Sequence, residues 1–597
     1  MKPADFGANG INGSVDAHGR IIALSFYQPE HGYVTLTTAD PFPDDKRYDQ
    51  PAVRAYRAGL AALDGFGVEF DSPVKWVYTQ AQSGVTPDVA TGLRFQDRTN
   101  ATGMTFVYGI TAYQRWRLNG KSARFTGRLS LQRCAYTQLT EGGVIPAPPV
   151  ETSVNFEQHG TFGMWTIENP ALPAAVCIVA PFGGDSYELE TVGAVRVDLS
   201  LVGDEVAICL STGRNALEAQ TRALSFYPPS PGRLAEACEE LQKIGKRLEE
   251  AGSTGRLDSV ARRGLAYSQS MAIPVGEGAC LLTDHMLLLL SWNRDAYYLA
   301  RALLSWHADM RDIVHRHLIW MFEIAQRKNG AWGRCYLANG MIKDPAFQLD
   351  QQLFPLLELA EYVEETGDRA TFQRLEGSVY ATLDMLFARR ADFAALFPTD
   401  ETPADDPIAL PYHLSSHILF WKTLVKLERI WIGTGSLKDE IRTAVDQHFA
   451  AEWDGKHIYA YATDGKGHHH LYHDANDFPT VLAPLWGWCD NSDPVWRATM
   501  EFAFSPANKE AYFGGHLGSV HTRAAWALGD VQELIIAENL GDEARQRRAV
   551  ESLHRAGQPD GSLPEAYNPE TGEVVSRHWF AWPNAAYACV LLGAFKP

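Results

Sequence analysis

The sequence predicts a protein of two unlike halves, in which an antiparallel β-sandwich is followed by a helical domain. Three observations predict it. The first ~225 residues alternate apolar and polar side chains and are rich in β-branched and aromatic residues. From about residue 233 the apolar spacing changes to the period of an amphipathic helix. Between these patterns, SFYPPSPGR at 225–233 fits neither and is typical of a linker.

The N-terminal half contains stretches with the alternation of half-buried strands. Gly, Asn, Asp and Pro separate them, as turns between strands require. The stretches are RIIALSFYQ, GYVTLTTA, VKWVYTQAQ, GMTFVYGITAYQRWRLNG, ARFTGRLSLQRCAYTQL and VGAVRVDLSLVGDEVAICL. Many short strands joined by such turns favour an antiparallel sandwich.

The C-terminal half repeats a helical pattern about a dozen times, beginning with the charged stretch LAEACEELQKIGKRLEEAG. Further patterns lie near residues 257–272, 292–307, 310–328, 350–366, 370–390, 411–433, 437–450, 493–506, 518–527, 531–541, 543–556 and 582–594. Recurring helix pairs indicate either a solenoid or a closed toroid of hairpins. The absence of a clear sequence repeat disfavours a regular solenoid.

The amino-acid composition limits the kinds of partner that we expect the protein to bind. The formal net charge is −19, and an acidic surface repels phosphates, so we expect neither nucleic acid nor an anionic membrane as a partner. No apolar run reaches the ~18 residues of a membrane span. The stretch MKPADFGANGINGSVD lacks the features of a secretory signal, so we expect a cytoplasmic protein. The eight cysteines form no CxxC pair, which predicts buried free thiols.

Two loops combine an arginine with aromatic side chains. In SWNRDAYY, Arg294 and Asp295 stand together at the start of a helix, and such a pair can grip vicinal sugar hydroxyls. The alternative is a helix cap with a local ion pair. In NGAWGRCYLANGMIKDPAFQLDQQ, Trp332 can serve as a sugar platform beside Arg334, and Asp350 has the alternative role of an N-cap.

Four carboxylates, those of Asp400, Glu401, Asp405 and Asp406, crowd the Pro-rich stretch LFPTDETPADDPIALPYHL. Like charges held close together raise one another's pKa, so one of the four can stay protonated near neutral pH and act as a general acid. The alternative is a solvated acidic loop that stabilises the dipole of the following helix.

The stretch GHHHLYHDANDFP contains His468, His470 and His473 together with Asp474. It superficially resembles a set of metal ligands, but the spacing fits no zinc signature. We therefore expect no metal. Polar lining of a sugar cleft, or helix capping by Asp477, is the favoured role.

The stretch GSLPEAYNPETGEVVSRHWFAWPNAAY places Glu565 on a turn shortly before the last predicted helix. A helical toroid presents such a loop to its central cleft. A lone carboxylate there indicates one half of a catalytic pair whose other half lies far upstream, because glycoside hydrolysis uses two carboxyl groups that face one cleft.

Together these stretches resemble glycoside hydrolase family 15, the glucoamylase-like enzymes. SWNRDAYY is similar to the family's W-x-R-D segment, AWGR to its W-G-R segment, and LPEAYNPETGE with FAWPNAAY to its P-E-Q, TGE and AWSHA segments. The resemblance implies a multidomain β + α fold. Its parts would be an N-terminal antiparallel β-sandwich (1–225), a linker with a helix (226–255) and a catalytic C-terminal (α/α)6 barrel (256–597).

The resemblance also implies roles for individual residues. Glu565 would be the general base. The family places its general acid in a W-E segment, and the equivalent loop here reads T-D-E-T, which implies Glu401 with Asp400 as the alternative. The implied substrate-binding residues are Trp292, Arg294, Asp295, Trp332, Arg334 and Trp582.

We therefore expect an inverting, exo-acting glycoside hydrolase that needs no cofactor. Its substrate would be an α-linked gluco-oligosaccharide, from whose non-reducing end it releases a terminal sugar, most simply glucose. One alternative is a related enzyme, either a disaccharide phosphorylase or a hydrolase of another linkage. Glu565 argues for hydrolysis, because phosphate is already a nucleophile and needs no general base. A non-catalytic carbohydrate-binding protein is the remaining alternative.

Overall fold

The computed structural model describes residues 2, 4–46, 49–81, 88–133, 149–181, 186–191, 194–226, 231–251 and 257–596. Over these ranges a β-rich N-terminal part is followed by a helical C-terminal part. The seven cysteines in these ranges form no disulfide with one another, and Cys134 lies outside them. No helix in the described ranges combines the length and apolar character that crossing a membrane requires.

The described N-terminal part forms two eight-stranded antiparallel sheets. The strands are β1 Ala4–Ala8, β2 Ile11–Val15, β3 Ile21–Gln28, β4 Gly32–Thr37, β5 Gly67–Phe70, β6 Val74–Ala81, β7 Val89–Phe95, β8 Asn100–Tyr108, β9 Thr111–Arg117, β10 Ala123–Gln132, β11 Ser153–His159, β12 Phe162–Asn169, β13 Ala174–Pro181, β14 Ser186–Thr191, β15 Ala194–Ser200 and β16 Glu205–Gly213. One sheet has the order β1-β2-β3-β4-β10-β15-β14, with β5 also paired to β10, and the other β11-β12-β13-β16-β9-β8-β7-β6.

The two sheets pack face to face around one apolar core. Leu36 and Phe125 come from the first sheet, Trp116 and Ile178 from the second, and all four are buried in the same cluster. The alternation that predicted the strands places these side chains on the inner faces.

Three helices accompany the sandwich: α1 Gln50–Leu60, α2 Ala216–Phe226 and α3 Pro231–Ala251. The helix α3 is the predicted linker helix. The sequence analysis missed α1 and α2. The first begins where Asp49 accepts a hydrogen bond from the Ala52 N–H, and the second packs against β13 and β16.

Six helices of the C-terminal part form an inner ring, in which each contacts the next and the last contacts the first. They are α5 Asn293–Trp306, α7 Leu349–Thr366, α9 Leu414–Arg429, α11 Phe478–Trp486, α13 Ala527–Leu540 and α15 Ala581–Leu592. These helices are apolar almost all round, as AWPNAAYACVLL of α15 illustrates, which is the pattern of a helix buried on every side.

The helices that alternate with the inner ones along the chain are α4 Ser259–Ser270, α6 Arg311–Ile319, α8 Arg369–Phe387, α10 Leu437–His448, α12 Pro494–Ala503 and α14 Glu543–Ala556. Most of them are amphipathic. In α14, EARQRRAVESLHRA, only Ala549, Ser552, Leu553 and Ala556 are buried. This alternation of buried and amphipathic helices resembles the (α/α)6 arrangement expected from the sequence.

One predicted helix position is wrong, and one inner helix was missed. Residues 518–527 form a loop that ends in a short strand, and α13 begins only at its last residue. The inner helix α11 was missed because Pro479 in its first turn and Pro484 in its interior break the helical pattern, although its apolar side chains are buried in the core.

Short strands order the loops between the helices. They are β17 Ala272–Val275, β18 Gly278–Leu281, β19 Leu290–Trp292, β20 Arg327–Lys328, β21 Ala331–Trp332, β22 Cys335–Leu337, β23 Ile342–Asp344, β24 Tyr412–His413, β25 Ala450–Trp453, β26 Lys456–Tyr459, β27 Ala462–Thr463, β28 His469–His470, β29 Tyr512–Phe513, β30 His516–Leu517, β31 Ala525–Trp526, β32 Ala566–Tyr567 and β33 Val574–Ser576. Three of them, β19, β24 and β31, lead directly into the inner helices α5, α9 and α13. They therefore fix the loops at the amino-terminal end of the ring.

Candidate active site

A cavity opens at the amino-terminal ends of the inner helices. Its lining is Trp292, Arg294, Asp295, Pro403, Ala404, Asp405, Asn476, His521, Trp526, Glu565, Arg577, Phe580 and Trp582. Residues almost 300 positions apart in the sequence thus share one site, because each precedes or begins an inner helix.

Glu565 lies in this cavity, and its two carboxylate oxygens have different surroundings. Its backbone N–H donates to the Arg577 carbonyl at 3.1 Å, and its carbonyl accepts from the Ala527 N–H at 3.2 Å. Its Oε1 lies 3.2 Å from Arg577 Nε. Its Oε2 is buried and has no hydrogen-bond partner among the described residues. A buried oxygen in this state is costly unless something binds it, so Oε2 is the atom available to a ligand or a water.

Asp405 is the carboxylate of the acidic loop that reaches the cavity. Its Oδ2 accepts a hydrogen bond from Trp292 Nε1 at 3.0 Å, and its Oδ1 accepts from Gln348 Nε2 at 2.8 Å. Burial raises the pKa of Asp405, but Arg334 and Arg294 outweigh burial, and the pKa lies below its ordinary value. Asp405 is therefore held as a carboxylate.

Glu401 and Asp400, the two residues that the sequence analysis considered for the acid, do not line this cavity. Glu401 Oε2 accepts from Arg334 Nη1 at 2.9 Å and from Gln348 Nε2 at 3.0 Å. Burial raises the pKa of Glu401 above its ordinary value. Asp400 is exposed, with its carboxylate 3.6 Å from Arg389. The place of Asp405 in the cavity thus favours it as the general acid, whereas the raised pKa favours Glu401. Asp405 is the better candidate, because a proton donor must first be within reach of its acceptor.

Arg294 is buried at the start of α5 and reaches three carboxylates. Its Nη1 donates to Asp350 Oδ2 at 2.8 Å, its Nη2 lies 3.4 Å from Asp405 Oδ1, and its Nε lies 3.8 Å from Asp295 Oδ1. The guanidinium lies 5.2 Å from the ring centre of Trp582, within the range of a cation–π contact. Neither α5 nor α7 has a side-chain hydrogen bond at its N-cap, so Asp295 and Asp350 are not caps.

Asp295 is also buried, and Thr283 Oγ1 donates a hydrogen bond to its Oδ2 at 2.6 Å. The Thr283 carbonyl accepts from the Ala581 N–H at 2.9 Å, which ties the start of α15 to the same residue. Burial raises the pKa of Asp295 to about 6, although Arg294 and Thr283 oppose it.

The structure brings Trp332 and Arg334 near the acidic loop but not to the cavity wall. Trp332 is 1% exposed, its Nε1 donates to the Met321 carbonyl at 3.0 Å, and the Arg327 guanidinium covers its ring at 3.8 Å. Its position is that of a core residue, so its role as a sugar platform stays a prediction without structural support. Arg334 Nη1 donates to the Asp405 carbonyl at 3.3 Å and thereby steadies the loop.

The histidine-rich stretch separates into different environments. His468 is exposed and pairs with Asp464, His470 stacks on Tyr472, and His473 is buried against Gln532. No group of three or more His, Cys, Asp or Glu side chains in the described part of the chain is arranged to hold a metal ion. From the same stretch, Asn476 lines the cavity.

The sequence analysis missed the polar cavity residues Asn476, His521 and Arg577. Burial lowers the pKa of His521, but a hydrogen bond to Asp406 and the charge of Glu565 outweigh burial and raise it to about 8. His521 is therefore a cation at neutral pH. Arg577 has φ of +47°, in the left-handed region that is uncommon for residues other than glycine. Arg577 stands in SRHWFAW, part of the stretch that the sequence analysis examined for Glu565, so the sequence offered a signal for it. His521 lay in a segment predicted to be helical, which hid its role in a loop.

The chain matches a protein-family model over residues 346–592, that of the metal-independent α-mannosidases of glycoside hydrolase family 125. The matched region contains Asp405, Asn476, His521 and Glu565 and covers less than half of the chain. No curated protein matches. The model belongs to family 125 and not to family 15, the family that the sequence resembles, and the match supports a glycosidase.

Solved structures share the fold. A Streptococcus pneumoniae structure, described as a metal-independent α-mannosidase with α-1,6-mannobiose, is 20% identical and covers 59% of this chain and 98% of its own, with a TM-score of 0.51. A bacterial glucoamylase complexed with acarbose is 11% identical over 100% of this chain and 94% of its own, with a TM-score of 0.68. A putative kojibiose phosphorylase from the human microbiome is 10% identical over 98% and 85%, with a TM-score of 0.56. These likenesses show the glucoamylase-like fold alone.

We predict that Asp295→Asn raises the stability of the protein but lowers its activity. The pKa of Asp295 is raised in the folded state, so the protonated carboxyl group stabilises the folded protein fully below pH ~4, and this stabilisation is lost as the pH rises to about 6. An Asn side chain does not ionise, so its stability does not change with pH in this way. The variant should therefore gain stability relative to the wild type between pH 4 and 7 in chemical unfolding, while kcat/KM for its glycoside substrate falls about 100-fold.

The matched control is Asp542→Ala, which removes a true helix cap, since Asp542 accepts from the Arg545 N–H at 2.9 Å. It should cost about 1 kcal/mol of stability and leave kcat/KM unchanged. If Asp295→Asn behaves like this control, Asp295 is a structural residue only.

Proposed function

We propose that the protein is an inverting, exo-acting α-glycosidase that removes a terminal mannose from the non-reducing end of an α-linked oligosaccharide. The observation that carries the proposal is the pair Asp405 and Glu565, two carboxylates from distant parts of the chain that line one small cavity. The choice of mannose rests on the family match, whose span includes both residues.

Exo action is inferred from the floor of the cavity. The buried side chains of Arg294, Asp295 and Trp582 line it, so the cavity ends inside the protein and suits the last sugar of a chain better than an internal segment. The guanidinium and the Asp295 carboxylate can bind the hydroxyls of a terminal sugar, while the Trp582 indole packs against the guanidinium.

Glu565 is assigned as the general base. Its Oε1 is held by Arg577, which leaves the unpartnered Oε2 to accept a proton from a water. That water attacks the anomeric carbon on the face opposite the departing oxygen, so the sugar is released with inverted configuration. His521, a cation at neutral pH, lies in the same cavity and stabilises nearby negative charge.

Asp405 is assigned as the general acid in preference to Glu401. Trp292, Gln348 and Arg294 orient its carboxyl group, and it lines the same cavity as Glu565. Its two arginine neighbours favour the ionised form. A bound sugar excludes water, and this desolvation favours the protonated form that the reaction requires. Glu401 accepts from Gln348 and Arg334, and so helps to hold Gln348, which orients the Asp405 carboxyl group, and Arg334, which bonds to the Asp405 carbonyl.

Two other activities are each favoured by one observation. Glucose release, expected from the sequence, is favoured by the likeness to a glucoamylase over the whole chain and not only its helical half. A phosphorylase is favoured by the likeness to a putative kojibiose phosphorylase. Glu565 Oε2 argues against the phosphorylase, because phosphate needs no base. A carbohydrate-binding protein without activity needs neither carboxylate.

The proposal predicts mannose release from α-linked mannobioses and from aryl α-mannosides, independent of added phosphate. The measurement is a panel of α- and β-linked mannosides and glucosides, assayed for free sugar with and without phosphate. The Glu565→Gln variant is the control for contaminating enzymes and should lose about 10²–10⁴-fold of the activity. Glucose as the only product, or a rate that requires phosphate, contradicts the mannosidase proposal.

The acid assignment predicts a loss that depends on the leaving group. Asp405→Asn should slow cleavage of a disaccharide by about 10²–10⁴-fold but slow a glycosyl fluoride much less, because fluoride leaves without a proton. Asp400→Asn is the exposed control and should change neither rate. If Glu401→Gln shows the leaving-group dependence and Asp405→Asn does not, Glu401 is the acid, as expected from the sequence.

A further inference from the structure

A cluster of buried charges joins the β-sandwich to the helical domain. Lys2, just before β1, has a fully buried Nζ that donates to Asp5 Oδ2 at 2.5 Å, to Asp560 Oδ2 at 2.7 Å and to Ser562 Oγ at 2.8 Å. Arg263 of α4 is buried beside them, and its Nη2 donates to the Asp5 carbonyl at 2.8 Å. Lys2 and Asp5 belong to the β-sandwich part, whereas Asp560, Ser562 and Arg263 belong to the helical part.

This cluster holds both legs of the hairpin that carries Glu565. We call residues 560–579 the catalytic hairpin. Lys2 binds its first leg at Asp560 and Ser562, whereas Asp5 Oδ1 accepts from Trp579 Nε1 on the second leg at 2.9 Å. Asp560 is five residues before Glu565, and Trp579 is two residues after Arg577, the partner of Glu565.

Hydrogen bonds fix the short stretches of chain between the charged cluster and the two site residues, Glu565 and Arg577. The backbone N–H of Glu565 donates to the Arg577 carbonyl across the hairpin, and the strands β32 and β33 pair beyond them. The adjoining Leu563 is fixed by a reciprocal pair of bonds with the Asn584 side chain at 2.8 and 2.9 Å. A displacement of Asp560 or Trp579 therefore passes to Glu565.

Burial makes the cluster a rigid anchor. Breaking a buried ion pair by removing one partner leaves an unpaired charge and is strongly unfavourable, so the partners stay in one arrangement. Both arginine and lysine charges here face carboxylates, and Ser14 Oγ completes the shell of Asp5 Oδ1 at 2.6 Å. The cavity itself contains none of Lys2, Asp5, Asp560 or Trp579.

We propose that Lys2 and Asp5 of the β-sandwich are positioning residues for the catalytic hairpin, which rests on the proposed function of Glu565. The N-terminal strand of one domain sets the position of the base in the other, so the sandwich is part of the active enzyme and not an independent module. Misplacing a catalytic group by about 1 Å can cost about 100-fold in rate, so a small shift of the hairpin is enough.

The test uses the full-length protein with Lys2→Met, Lys2→Arg and Trp579→Phe. Lys2→Met and Trp579→Phe each remove one anchor, and kcat should fall about tenfold or more while KM changes less than about threefold, since the sugar-binding residues are untouched. Lys2→Arg keeps the charge and should restore most of kcat. Trp579→Phe removes the N–H donor together with part of a buried ring, and it keeps the proposal testable if Lys2→Met does not fold.

The control is Asn339→Ala, which removes another bond between the domains, from Asn339 Nδ2 to the Pro29 carbonyl at 2.9 Å. It should leave kcat and KM unchanged. Hydrogen exchange of peptides that cover 560–579 gives a readout independent of activity. Faster exchange there in the two anchor variants, but not in the control, supports the proposal even if the wild type has no glycosidase activity, in which case only the proposed function fails. Unchanged exchange, or a fall in kcat that merely follows the folded fraction, overturns the proposal.

Discussion

A single buried guanidinium, that of Arg294, connects the parts of the helical domain that form the cavity. It begins α5, donates to Asp350 at the start of α7, approaches Asp405 of the loop before α9 and lies over Trp582 of α15. A buried arginine is tolerated only when carboxylates surround it, and those carboxylates are tolerated only because of the arginine. The charges therefore fix one another in place, and with them the amino-terminal ends of three inner helices.

Two residues of the site have strained backbones. Asp405 and Arg577 have φ of +64° and +47°, and both lie at the cavity. A left-handed conformation costs a residue other than glycine roughly 1–2 kcal/mol. The bonds from Trp292 and Gln348 to Asp405, and the contact of Arg577 with Glu565, offset this cost. Strain of this kind persists where the surrounding contacts determine the geometry, which is common at functional sites.

Much of the architecture and part of the site could be predicted from the sequence, for local reasons. The change of apolar period marks the two halves, and Arg294, Asp295, Trp582 and Glu565 stand out because charged or aromatic residues interrupt the start of a buried helix or a turn. The structure brings these four into one cavity. Their catalytic and binding roles stay predictions.

The remaining features depend on three-dimensional contacts. Four carboxylates within seven residues are alike in sequence, and only the turn at Asp405 determines which of them reaches the cavity. Trp332 has the neighbours of a sugar platform in the sequence but lies in the core. The bonds of Lys2 and Asp5 to a hairpin more than 550 residues away leave no local signal.

The central claim is that Asp405 and Glu565 act across one cavity as acid and base, with a water between Glu565 and the sugar. Proton NMR of a fresh digest, recorded before mutarotation, tests it most directly. With the α-glycoside that the enzyme cleaves, the first sugar released should be the β-anomer, since the water attacks the face opposite the leaving oxygen. The α-anomer as first product would mean that a carboxylate attacks the sugar itself, which contradicts the role given to Glu565.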